Sequence, residues 1–206
     1  MKIQTRIPWI TLLLGAFAAL AFAGGTATFE ALAWRADWLQ SGEYWKVVTG
    51  HFAHASASHL AWDLRAFLIL GACVERRCRG RLLALLGGTM LLSEIALSWS
   101  GRFALYCGLS GLDVALFAAA AFQLLQKGKM EGDRVLKGLG AGALVLAICK
   151  VGLEVFGRSP FFVSGLQASF SVAWEAHLAG LAAALLAGGY SLSRSGSLTI
   201  SNERLG

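Results

Sequence analysis

The stretch Tyr106-Cys107-Gly108-Leu109-Ser110-Gly111-Leu112-Asp113, followed by an apolar run to Leu125, sets a serine between two glycines where a short loop becomes a long hydrophobic helix. Glycine on both sides permits a tight turn and the close approach of other backbone, so the hydroxyl can be presented rather than covered. Gly-x-Ser-Gly has a second reading, because Gly and Ser are ordinary packing residues of membrane helices. The positions of the histidines decide between the two.

Composition sets the environment first. Of 206 residues 56% are hydrophobic and 15% charged, and the mean hydropathy is +0.61. So apolar a chain reads as a polytopic membrane protein. A pI near 9.5 raises the question of nucleic acid. The 18 basic residues, however, sit mostly in short loops between apolar runs, without a basic stripe interleaved with aromatics, so no nucleic-acid partner is expected. The four cysteines have neither metal spacing nor a secreted disulfide pattern. Cys73 and Cys78 fall near a basic cytoplasmic loop, where thiols stay reduced. Cys107 reads as a small apolar filler.

Apolar runs predict six spans. They cover Ile7 to Ala23, His59 to Val74, Arg81 to Trp99, Leu109 to Leu125, Leu139 to Phe156 and Ala168 to Tyr190, with a polar tail from Ser191 to Gly206. Residues 1–190 thus form one membrane domain and 191–206 a cytoplasmic tail. The first run could also be a cleaved signal peptide, but it is longer than a usual signal core, which favours a retained span. The loop from Gly24 to Ser58 is too long for a mere connection, so it packs on the protein or has a function. Its Trp34, Trp38, Tyr44 and Trp45 suit a membrane interface. With the amino terminus inside, twelve basic residues lie in inner segments and four in outer ones, while Arg65 and Lys150 fall within spans. The positive-inside rule then puts both termini in the cytoplasm and the long loop outside.

His59 in the second span, Ser110 in the fourth and His177 in the sixth each stand seventeen residues from the first basic residue on their cytoplasmic side, namely Arg76, Lys127 and Arg194. At helical rise that is roughly 26 Å above the inner charged layer for all three. One shared depth, in the outer half of the membrane, argues for one site. Gly111, Ala115 and Ala119 in the fourth span, and Gly180, Ala184 and Gly188 in the sixth, are small-xxx-small ridges that let two helices approach closely. Ser110 adjoins one ridge and His177 lies three residues before the other. A serine nucleophile needs such closeness to its base. An ionisable group inside a span is costly, and by default it marks function.

With these motifs the chain resembles the rhomboid intramembrane serine proteases from Glu43 to Gly188. Glu43-x-Trp45-Lys46-x-x-Thr49 is similar to the family's first-loop Trp-Arg motif, with lysine for arginine. His54-x4-His59-x3-Asp63 is similar to its span-two His…His-x-x-x-Asn motif, and Glu75 to the glutamate ending that span. Gly108-Leu109-Ser110-Gly111 matches Gly-x-Ser-Gly, and Ala176-His177-x-x-Gly180 the span-six histidine motif. The resemblance implies an all-α six-helix bundle in the cytoplasmic (inner) membrane, with Ser110 as nucleophile and His177 as base. It implies His59 and the Ser110 backbone N–H as oxyanion donors, and no third triad acid. The substrates would be transmembrane proteins in the bilayer, cut near the outer face in a water-filled cavity, without cofactor. The chain is also similar to one branch, the rhombosortases. That would imply substrates whose carboxy-terminal tail carries a Gly/Ser-rich motif, a helix and a basic cluster.

Asp63 departs from the family, which usually has asparagine there, since an ionised carboxylate would repel an oxyanion. Two readings stay open. Asp63 pairs with His59, at i,i+4, and holds it protonated as a stronger donor; or it faces a wet cavity or is itself neutral. The bland readings cover the other polar residues. Lys150 and Glu154, at i,i+4, neutralise each other; Glu94 and Asp113 accept interhelical hydrogen bonds; Glu175 faces away from His177; and Arg65 faces a protein or water-filled interior. His51 and His54 suggest metal, but without His-Glu-x-x-His and a clear third ligand no metal is expected. Two rivals remain: a catalytically inactive rhomboid-like module that binds or chaperones membrane proteins, and a small transporter, against which the lack of a span-length repeat counts.

Overall fold

The structure, a computed structural model, describes residues 7–157 and 173–203. Lys2, Arg6, Arg158 and Arg204 of the charge tally, and the beginning of the expected sixth span at Ala168, lie outside the described residues. The long helices are α1 (Trp9–Ala23), α5 (Ala57–Arg77), α6 (Arg79–Ser100), α7 (Ser110–Glu131), α8 (Arg134–Gly157) and α9 (Trp174–Glu203). The loop after α1 folds into α2 (Gly25–Leu32), β1 (Trp34–Arg35), α3 (Trp38–Ser41), α4 (Lys46–Thr49) and a 3-10 turn (Gly50–Phe52), and β2 (Leu105–Tyr106) precedes α7. The fold is helical, apart from a two-residue ribbon in which antiparallel β1 and β2 pair Trp34 with Tyr106 and Arg35 with Leu105.

Among the described residues three helices, α5, α6 and α8, are long and apolar enough to cross a membrane, and α1 is a shorter apolar helix. In α7 the hydropathy is diluted by Asp113, Gln123, Gln126 and Lys127. This helix instead fills the centre, packing on α5, α6, α8 and α9. Leu112, Ala115, Leu116 and Ala118 of α7 have no exposed surface. The outer faces of the surrounding helices point Leu13, Leu20, Ile69, Leu91 and Leu146 outward. An apolar exterior around a core containing buried polar groups fits an integral membrane protein. The helix of the sixth span continues to Glu203, so the residues of the polar tail as far as Glu203 are continuous with it.

Small residues fix the closest approach in the bundle. A Cβ on Gly180 would fall on the Gly111 carbonyl oxygen and 3.2 Å from the Ala115 nitrogen, and one on Gly111 would come within 2.9 Å of the Ala176 oxygen. The two ridges read from sequence therefore meet backbone to backbone. At the other end of the bundle α1 is tied to α5 by Glu75. Its carboxylate accepts from the Ile10 and Thr11 N–H groups at 3.1 and 2.8 Å and from the Thr11 hydroxyl at 2.8 Å. Pro8 offers no side-chain cap, so Glu75 supplies the acceptor that the exposed N–H groups of this helix start need.

Several expectations about polar residues are corrected. Trp34 is not an interfacial ring but 2% exposed, and its indole N–H donates to Glu94 Oε2 at 2.6 Å. Glu94 therefore serves the loop between α1 and α5 rather than another long helix, since its Oε1 accepts from Trp38 at 2.9 Å and from Ser98. A half-buried carboxylate with two indole donors pins the loop on α6. Arg65 is exposed, not interior, with its guanidinium 5.5 Å from the centre of the Trp62 ring. Asp113 Oδ1 is buried without a hydrogen-bond partner among the described residues.

Because Gly180 meets backbone rather than flexible side chains, Gly180→Val should separate α7 from α9. Overpacking of this kind costs about 1–3 kcal/mol. A lowered melting temperature in detergent is expected, and an unchanged one would mean that the helices do not touch at this point.

Candidate active site

Ser110 is the first residue of α7, half-buried between the buried Leu109 and Gly111. A helix start leaves backbone N–H groups without intrahelical partners and a positive dipole end, a suitable setting for developing negative charge. The loop before it is held from three directions. Pairing of β1 with β2 brings the loop between α1 and α5 alongside it. The Gly108 N–H donates to the Gly50 carbonyl at 3.2 Å. The Tyr106 hydroxyl donates to the Gly108 carbonyl at 3.1 Å and lies 3.3 Å from His51 Nδ1. Burial pushes the His51 imidazole down to about 4, which keeps it neutral in this packed loop.

Gly108 is the one loop residue that could not be replaced in place. Its φ is +118°, and a Cβ there would lie 2.8 Å from His59 Cε1 and Nε2 and 3.2 Å from Asp63 Oδ2. The ring of His59, in the first turn of α5, thus lies directly against the turn that presents Ser110. Ser56 caps that helix by accepting from the His59 N–H at 3.2 Å, which sets where the turn begins.

Asp63 gathers the site on the α5 side. Its Oδ2 accepts from the Leu109 N–H at 3.0 Å and lies 3.2 Å from His59 Nε2 and 3.3 Å from His54 Nε2. His54 is buried, with Nδ1 3.1 Å from the Phe52 carbonyl; since a carbonyl only accepts, Nδ1 carries hydrogen. Its Nε2 meets Asp63 at ion-pair distance but without hydrogen-bond alignment. Two imidazoles and a carboxylate with ligand atoms within 4.8 Å match, by type, what zinc accepts. The trio nonetheless already closes on itself and on Leu109 through Asp63.

On the α9 side His177 is 6% exposed in the helix's first turns, one residue from the Gly111–Ala176 contact. Sequence reasoning missed its partner: His177 Nδ1 lies 2.7 Å from Glu154 Oε2, while Lys150 Nζ holds Glu154 Oε1 at 2.8 Å. The Lys150–Glu154 pairing was expected, the bond to His177 was not. The same spacing would have found it, because Glu154 stands seventeen residues from the basic Lys137, as His59, Ser110 and His177 do from Arg76, Lys127 and Arg194. Glu175 does face elsewhere, bonded to Arg102 at 2.8 Å. The remaining motif residues brace the scaffold. Lys46 is 2% exposed and bonded to Glu43 at 2.9 Å, and this bond holds the Glu43 carboxyl below its usual range. Trp45, half exposed, donates to the Ala31 carbonyl at 2.9 Å. Burial pushes the Cys107 thiol up to about 12, in keeping with an inert filler beside the serine. A cleft of about 240 Å³ lies elsewhere, between Trp34, Trp38, Leu97 and Phe103.

Polar and ionisable groups from four helices, α5, α7, α8 and α9, thus stand inside an apolar bundle, where they mark a functional site of a membrane protein. A profile of the rhomboid domain matches residues 41–194, well over half of the chain, and the protein belongs to the rhomboid family. Members of that family are in general intramembrane serine proteases acting on transmembrane protein substrates.

Gly108→Ala should disturb His59 and lower activity, whereas Gly132→Ala, at φ +68° but in open space, should bring only a modest loss of stability. Parallel assays of cleavage and thermal stability in the two variants check this. Equal activities would mean that the contact with His59 is immaterial.

Proposed function

We propose that the chain is a six-span serine protease of the membrane that cleaves membrane-anchored proteins near the outer face, with Ser110 as nucleophile and His177 as base. The reading is carried by the backbone contact of Gly111 with Ala176 and Gly180, which brings the helix start bearing Ser110 beside the turn bearing His177. In the first step Ser110 Oγ bonds to the scissile carbonyl carbon while its proton passes to His177 Nε2. Collapse breaks the C–N bond, and the leaving amine takes that proton. Water, delivered at the depth of Ser110, then gives a proton to His177 as its oxygen bonds to the acyl carbon; the acyl C–O bond breaks and His177 returns the proton to Ser110 Oγ, freeing the carboxyl product. The Ser110 N–H at the start of α7 and the His59 ring against Gly108 stabilise the oxyanion. Asp63, 3.2 Å from His59 Nε2, orients that ring and with the Leu109 bond fixes the turn. The Tyr106-x-Gly-Leu-Ser-Gly wording favours the rhombosortase branch, with tails of a Gly/Ser motif, a helix and a basic cluster as substrates. The greater number of basic residues in the inner segments favours an inner membrane with both termini in the cytoplasm.

The test is cleavage of such a tail-anchored substrate in liposomes by wild type, Ser110→Ala and His177→Ala, with a fluorophosphonate label read in parallel. Cleavage and labelling by wild type that vanish in Ser110→Ala are expected. A folded wild type that neither cleaves nor takes the label would favour the inactive binding module. Asp63→Asn keeps the size and one acceptor while removing the charge, and a change in rate that depends on pH is expected. A rate unchanged at every pH would leave the His59–Asp63 contact without a catalytic part.

A further inference from the structure

We propose that Glu154 is a positioning residue for His177, which would make the site a Ser110–His177–Glu154 arrangement rather than a bare dyad; this rests on the dyad reading given above. A carboxylate accepts only, so at 2.7 Å from Glu154 Oε2 the His177 Nδ1 carries the hydrogen. That fixes the tautomer. Nε2 is left with its lone pair, the form in which it can take a serine proton. The same bond stops rotation of the ring and stabilises the imidazolium that forms as the proton arrives.

The placement of Glu154 goes beyond what charge neutralisation needs. An i,i+4 contact with Lys150 at 2.8 Å already neutralises the carboxylate through Oε1. The second oxygen reaches across to another helix and makes the shorter contact, onto the ring nitrogen opposite the one the reaction uses. Glu154 is 3% exposed and shares the packed face of α8 with Ala147 and Val151. That helix is held against α7 lower down, where a Cβ on Gly140 would meet the Ala121 carbonyl oxygen at 2.9 Å. The acid is therefore carried on a rigid element docked against the serine's own helix. Lys150 Nζ lies 3.3 Å from His177 Nδ1, but with hydrogen already on that nitrogen the ammonium has nothing to donate to there. Its part is to hold Glu154 Oε1. Of the other charged groups nearby, Glu175 on α9 is bonded to Arg102, and Asp113 on α7 has its Oδ1 without a hydrogen-bond partner among the described residues.

The experiment measures kcat and KM of the full-length protein in liposomes, with the rate of fluorophosphonate labelling and the melting temperature, for wild type, Ser110→Ala, Glu154→Gln and the double variant Lys150→Met/Glu154→Met. The double variant buries no unpaired charge, so it stands in should Glu154→Gln fail to fold. The expected result is a kcat and a labelling rate lowered about tenfold or more in both Glu154 variants, with KM within about twofold and melting little changed, as general-base contributions of this size imply. A purely structural Lys150–Glu154 pair would instead leave the double variant at the wild-type rate. Wild-type kcat in either folded Glu154 variant, alongside an inactive Ser110→Ala, would overturn the role of Glu154 and leave the protease reading intact. Full activity in Ser110→Ala would overturn both.

Discussion

Backbone-to-backbone contact between α7 and α9 is the constraint on which the rest depends. In a bilayer no hydrophobic force drives one apolar helix onto another, so close packing of small residues has to do it. Gly111 and Gly180 supply the missing side chains, and the carbonyl of one occupies the space where a Cβ of the other would be. This contact brings Ser110 level with His177, and it also forces α7 into the centre. From there α7 can face α5 on one side and α8 on the other.

The two flanks of Ser110 are built on different logic. On the α5 side a single carboxylate oxygen serves a backbone N–H and lies against two imidazoles, so it ties the serine loop to His59 and the buried His54. On the α9 side Glu154 divides its two oxygens between a lysine and a histidine. Buried charges are tolerated where each is paired, and broken pairs are costly. In both flanks the loss of a single member would leave its partner unpaired.

The loop between α1 and α5 belongs to the site as much as the helices do. The indole donors of Trp34 and Trp38 converge on Glu94, and β1 pairs with the strand directly before Gly108. Loop residues that look like membrane-interface aromatics in sequence are thus in part the clamps that hold the serine turn in place. Tyr44 and Trp45 are exposed; Trp34 is buried.

Sequence by itself determined the helical membrane character, the serine turn and the small-residue ridges. Each of these follows from local chemistry: hydropathy and glycine freedom. Sequence also proposed the pairing of Asp63 with His59, because one helical turn separates them. Only the tertiary structure decided which groups meet across helices. The bond from Glu154 to His177 joins residues 23 apart on different helices, and Glu94 meets Trp34 across 60 residues. Spacing along the chain gives the height of a side chain on its helix but not the direction it faces. That direction is set by how neighbouring helices pack, which no single helix encodes.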